Sequence, residues 1–168
     1  NGLDLAQQMG INPSQLIKTA NWVGPMLVTA ALSGVKEILL FGYHGKLIKL
    51  AGGIFHTHHH LADGRLEILT AHCARVGLPT PILRKVFESD TTEIALNVLR
   101  ETENPWVELV YNAIASTIDL RSQDYIYKHT QQKINVGSIL FERNRSILVQ
   151  SHNGSIIKEK VCQQTDDK

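Results

Sequence analysis

Gly34-Val35-Lys36-Glu37-Ile38-Leu39-Leu40-Phe41-Gly42-Tyr43-His44-Gly45-Lys46-Leu47-Ile48-Lys49-Leu50-Ala51-Gly52-Gly53 is the stretch whose reading decides the fold class. Glu37 to Phe41 is a short apolar run entered from Val35 and bounded by glycines, so it reads as a strand buried on both faces, as in a parallel sheet. Gly42-Tyr43-His44-Gly45 reads as the turn that follows, because two glycines let a backbone leave a strand sharply and approach a ligand closely. Lys46 to Ala51 then reads as a short helix ended by Gly52-Gly53. Such a helix points free N–H groups and the positive end of its dipole at whatever sits beyond the strand, and Lys46 and Lys49 add charge. The stretch is therefore a candidate anion pocket. It departs from a nucleotide P-loop, since the spacing is Gly-x-x-Gly-Lys and Leu47 stands where Ser or Thr would hold magnesium. The plainer reading, a tight strand-to-helix turn with a surface lysine, stays open on the residues alone.

Upstream, Leu3 to Met9 is apolar and helix-like, Asn12-Pro13-Ser14 is a turn, and Trp22 to Ser33 has helical spacing with Pro25 in its first turn. Downstream, Ile54 to Leu61 has no clear period. Ala62 to Val76 predicts a helix with Leu66, Leu69, Cys73 and Val76 on one face, ended by Gly77 and Pro79. Asp90 and Glu93 have capping-box spacing before Ile94 to Leu99. Asn104-Pro105 opens a long helix with Val107, Val110, Ile114 and Ile118 inward, ending near Ser122 or near Gln131. Ile134 to Glu142 and Ser146 to Gln150 read as strands around Arg143-Asn144-Arg145. This order predicts an α/β fold, a three-layer α/β/α arrangement with a mostly parallel sheet and a C-terminal β-hairpin at one edge. Residues 1–160 form one domain in this reading, and 161–168 a polar tail. Ligands of open α/β sheets bind beyond the carboxyl ends of the strands, which is where Gly42–Lys46 falls.

Composition narrows the function classes. Of the 168 residues 43% are hydrophobic and 20% charged, which argues against a disordered tail. Lys and Arg number 17 against 16 Asp and Glu, so bulk charge does not point to nucleic acid. No apolar run reaches the roughly 18–20 residues of a membrane span. Two cysteines, Cys73 and Cys162, form no CxxC, and a reduced cytoplasm is the expected setting. The neutral total hides blocks: Lys36–Lys85 has seven basic and three acidic residues, Val86–Asp124 two and eight, Tyr125–Lys160 six and two. The first block contains His56-Thr57-His58-His59-His60, half of the chain's 8 histidines. No HExxH, carboxylate or thiolate lies nearby at ligand spacing, so no metal is assigned and polar contact with a bound anion is the preferred reading. A histidine metal site and a non-catalytic anion-binding module are the alternatives. Trp22 and Trp106, both at helix starts, read as core packing rather than ligand stacking.

The quoted stretch, followed by Thr57-His58 and Ala62-Asp63-Gly64-Arg65, resembles the cobalt-precorrin-5B C(1)-methyltransferase family of anaerobic cobalamin (vitamin B12) biosynthesis. The Gly-Lys-x-x-Lys-Leu-Ala-Gly core leading to Thr-His and a nearby Asp carries the resemblance. Upstream, Ala20-Asn21-Trp22-Val23-Gly24 falls on a stretch usually written Gly-Asp-Phe-Val-Gly, with Asn21 in place of Asp. His59 stands where Ser is common. The resemblance implies a cytoplasmic enzyme that transfers methyl from S-adenosylmethionine to C-1 of a cobalt-containing, polycarboxylate tetrapyrrole. It matches the family's C-terminal domain, so the enzyme's N-terminal domain is expected to be a partner missing from this chain, and a homo-oligomer is a further open expectation. Under it, His58 and Asp63 are the catalytic candidates that move a proton or orient the ring. Lys46 and Lys49 anchor carboxylates, and Asn21, Gly42, His44, Gly45, Gly52, Gly53, Thr57 and Arg65 complete a substrate or donor site. The common glycine signatures of methyl-donor sites are missing, so the donor has no motif.

Overall fold

A three-stranded sheet organises the chain because its middle strand meets structure on every side. The structure, a computed structural model, describes residues 2–103 and 105–163. In chain order it contains α1 (Gly2–Gln8), α2 (Val23–Leu32), β1 (Glu37–Tyr43), α3 (His44–Ala51), α4 (Arg65–Arg75), α5 (Thr80–Phe87), α6 (Thr92–Arg100), α7 (Trp106–Thr130), β2 (Asn135–Phe141), β3 (Ile147–Gln150) and α8 (His152–Gln163). β1 runs parallel to β2, with Glu37 opposite Asn135 and Tyr43 opposite Phe141. β3 runs antiparallel to β2, with an irregularity between Leu140 and Phe141. The sheet is therefore mixed rather than mostly parallel. The reason is connection length: the few residues after Phe141 cannot make the crossover that a parallel partner needs.

The strand read from Glu37–Phe41 is real, but it lies at the sheet edge and only Leu40 is fully buried. The doubly buried strand is β2, where Val136 to Leu140 are all buried. β1 also runs through Gly42, and α3 begins at His44 with no intervening turn. The two glycines serve packing. A Cβ on Gly45 would lie 2.5 Å from the Tyr43 ring and 2.6 Å from Thr92 Oγ1, and one on Gly42 would lie 3.0 Å from Leu47. Gly53, at φ +80, is the position after α3 where a left-handed residue is needed.

α7 is the spine. Its Val110, Ile114, Ala115, Ile118 and Ile126 are buried against α2, α3, α4, α6 and the sheet, and it continues past Ser122 to Thr130. Gln131 ends it in the left-handed region, at φ 59. α4 is shorter than the spacing predicts, starting at Arg65 after Gly64 takes φ 64. Thr91, not Asp90, caps α6, its hydroxyl accepting from Ile94 N at 3.2 Å. Asn104 lies outside the described residues. α5 and α8 have no counterpart in the sequence reading; α8 takes in residues 161–163 of the expected tail, and 164–168 lie outside the described residues.

α8 meets β2 backbone to backbone, since a Cβ on Gly137 would lie 2.3 Å from Gly154 N. The next residue points to α7: Ser138 Oγ donates to Ala115 O at 3.3 Å. Ser151 caps α8, its Oγ accepting from Gly154 N at 2.9 Å. At this junction Asp119 is 4% exposed and burial pushes its carboxyl up to about 6, against hydrogen bonds from Ser151 and Ser138 that pull it down.

Candidate functional site

α3 sends its functional side chains in two directions, because 100° per residue puts His44 on a different face from Lys46 and Lys49. His44 points inward and is fully buried. Its Nε2 lies 3.1 Å from Glu93 Oε1 on α6 and its Nδ1 2.9 Å from the Tyr111 hydroxyl on α7. Burial lowers the pKa of the imidazole, while Glu93 raises it less, so the ring is neutral. Neutrality fixes the tautomer: Nε2–H donates to the carboxylate and Nδ1 accepts from Tyr111. Glu93 also accepts from Arg143 N at 3.2 Å. This chain ties α3, α6 and α7 together at the carboxyl ends of β1 and β2. Beyond Tyr111 a cleft of about 540 Å³ is lined by Arg100, Glu108, Asn112 and Gln150.

Lys46 and Lys49 point the other way, toward the segment Ala20–Gly24 and the histidine loop. Lys49 is 2% exposed and its ammonium donates to Thr57 O at 3.1 Å and Ala62 O at 2.8 Å, with Asp63 Oδ1 at 4.0 Å. It clamps both ends of the loop. Lys46 is half-buried and donates to the carbonyl of Ala20, which sits at φ 47. Burial lowers the Lys46 pKa first, and the charges of Lys18 and Lys49 lower it further. Among the described residues Lys46 has no carboxylate partner. Positive charge is thus in excess here.

Asn21 and Thr57 lock these segments together: Thr57 N donates to Asn21 O at 3.1 Å and Thr57 Oγ1 to Asn21 Oδ1 at 3.2 Å. Gly24 N adds a bond to Phe55 O at 3.0 Å, over the stacked rings of Phe55 and Tyr125. The histidines do not share one face. His58, His59 and His60 form a tight turn with rings 4.0–5.2 Å apart, while His56 turns back onto Trp22. His60 depresses the His59 pKa most, with His58 and Lys49 adding to it. Asp63 is held by Arg65 in a two-point contact, Nε to Oδ1 at 2.5 Å and Nη2 to Oδ2 at 2.8 Å, which keeps its carboxyl below the usual range. It is therefore an ionised acceptor at neutral pH.

The structure accordingly brings together Asn21, Lys46, Lys49, Thr57, His58, Asp63 and Arg65, and separates from them His44, Gly42 and Gly45. Gly52 and Gly53 lie at the far end of α3, where a Cβ on Gly52 would meet Ile68 and one on Gly53 would meet Arg121. Sequence reasoning missed Glu93 and Tyr111 as partners of His44; the capping-box reading absorbed Glu93, and Tyr111 carried no signal. It also placed Trp22 in the core, whereas 59% of its surface is exposed. Among the described residues no group of three or more His, Cys, Asp and Glu is arranged to hold a metal ion, and no helix is long and apolar enough to cross a membrane.

The fold is a mixed α/β domain that gathers Lys46, Lys49, Arg65 and Asp63 on one side of α3. Residues 56–152 match the family described as CbiD, C-terminal domain, and the chain belongs to that family. Relatives called cobalt-precorrin-5B C(1)-methyltransferase are 54% identical over 165 residues in Synechocystis sp., 56% over 165 in Cyanothece sp. and 56% over 169 in Nostoc sp.. Each alignment takes in 96% of this chain and 44%, 44% and 46% of the relative, so the chain spans about half the length of the curated relatives it matches. No solved structure gives a significant match.

Proposed function

We propose that this chain is the C-terminal part of a cobalt-precorrin-5B C(1)-methyltransferase of cobalamin biosynthesis, working in the cytoplasm, and that it supplies the wall that holds the tetrapyrrole's carboxylate arms. The observation that carries the reading is Lys46: a half-buried ammonium facing a carbonyl, pressed by Lys18 and Lys49, with no carboxylate to neutralise it. An incoming carboxylate relieves that repulsion, and a charge-assisted bond there is worth more than a neutral one. Arg65 and His58 extend the wall. Lys46 and His58 lie outside the clefts at Tyr111 and Tyr125, and in this reading a second surface closes over the wall. The remaining length of the relatives is the proposed source of that surface.

S-adenosylmethionine is the proposed donor, since C-methylation needs an activated methyl that leaves a neutral thioether as its S–C bond breaks. Gly42 and Gly45 offer it no cradle, because the Leu47, Tyr43 and Thr92 side chains fill the space beside them. What this chain contributes is positioning, which such a transfer needs more than a strong base. Asp63 orients through Arg65, and His58, whose Nδ1 accepts from His60 N at 3.3 Å, is the proton-handling candidate through its other ring nitrogen. The finer architecture in this reading is three-layered, with a β2–β3 hairpin at the sheet edge. Supporting it are the antiparallel pairing and the alternation that turns Ser138 to α7 and Gly137 to α8.

The test is steady-state kinetics of the intact gene product with labelled donor and cobalt-precorrin-5B. Lys46→Ala should raise KM for the tetrapyrrole about tenfold with kcat little changed, the size of one charge-assisted bond. His58→Ala should lower kcat. An unchanged KM for Lys46→Ala would remove the anchor.

A further inference from the structure

Trp22 has no packing explanation. Its neighbours Val23 and Gly24 are buried, yet its own ring is 59% exposed at the start of α2. Among the described residues the one ring against it is His56, edge-on with centroids 4.6 Å apart and planes at 75°. The backbone that presents it is fixed on both sides: Lys46 holds Ala20, Thr57 holds Asn21, and Gly24 is bonded to Phe55. A large, stiff aromatic is thus presented to solvent from a backbone segment that Lys46 itself holds.

We propose that Trp22 is a stacking platform for the flat conjugated ring of a polycarboxylate macrocycle, its arms held by Lys46 and its neighbours. The proposal rests on the carboxylate-anchor reading above and adds the residue that meets the ring itself. Charge chooses between the two flat groups in such a reaction. A sulfonium donor carries net positive charge and is repelled by Lys18, Lys46 and Lys49, whereas a macrocycle with several carboxylates is attracted. A stacked ring gains from the indole face at little entropic cost, because the indole has only two side-chain torsions to fix.

Uroporphyrin, a flat octacarboxylate, is a usable probe. In the intact gene product uroporphyrin should saturably quench the part of the tryptophan emission that Trp22→Leu removes, while the cationic S-adenosylmethionine should not. Porphyrin fluorescence anisotropy then compares variants whose folding is checked by circular dichroism. Trp22→Leu should weaken binding about tenfold, the size of one aromatic stacking contact. Trp22→Phe should recover most of that loss. Equal affinity for wild type and Trp22→Leu, with Lys46→Ala weakened, would overturn stacking and leave the anchor standing. No binding to wild type at all would sink the anchor reading, and stacking with it. Quenching by S-adenosylmethionine would assign the platform to the donor's adenine instead and contradict the proposal.

Discussion

At the level of single residues, the geometry assigns costs that can be measured. Ala20 adopts φ 47 so that its carbonyl can receive Lys46, a conformation an alanine takes only with strain. The resembling family motif has glycine there, and Ala20→Gly should stabilise the fold by about 1 kcal/mol in chemical denaturation. Two buried groups pull the pH profile in opposite directions. Burial depresses the pKa of His44, so below about 6.5 the unfolded chain takes up a proton the native ring refuses, and stability falls as pH falls. Asp119 is raised from 3.8 to about 6, so the native state keeps a proton the unfolded state has lost, and stability falls as pH rises through that window. Asp119→Asn should therefore stabilise by about 3 kcal/mol at pH 8 and by almost nothing at pH 4. Equal effects at both pH values would show that the carboxyl is not held protonated.

Among the elements, α8 is seated on the sheet by a close backbone contact. A methyl group on Gly154 would lie 2.4 Å from the carbonyl oxygen of Ser138, a backbone atom that cannot move aside. Gly154→Ala should cost about 3 kcal/mol, read as a lowered denaturation midpoint. α8 was invisible in the sequence for a related reason. Its seat on the sheet is made by Gly154 and Gly137, which carry no apolar side chain to register in a period. α5 hid behind Gly77 and Pro79, which rightly end α4 but also open the next helix, with Thr80 and Pro81 in its first turn. β1 was legible because a glycine-bounded run of Ile, Leu and Phe has few other uses. Its burial was misjudged because apolar content does not distinguish an edge strand under helices from a central one.

For the whole molecule, the candidate site was half legible. Lys46, Lys49, Thr57, His58 and Asp63 could be grouped because the 18 residues from Lys46 to Asp63 return to one helix face. Reading His44 with them ignored the rotation of a helix that starts two residues earlier than expected. Gly42 and Gly45 looked like ligand-facing glycines, and only the positions of Leu47, Tyr43 and Thr92 reveal that side chains occupy that space. Trp22 could not be read as exposed, since the apolar residues around it do belong to the core. The proposed role of the cationic wall is to hold a tetrapyrrole ring for methylation. Incubating the intact gene product with a 13C-methyl donor and cobalt-precorrin-5B, and taking the carbon NMR spectrum of the product, tests it most directly. The expected product carries a single enriched methyl bonded to C-1. A folded protein that yields no enriched methyl, or places it on another carbon, would contradict it.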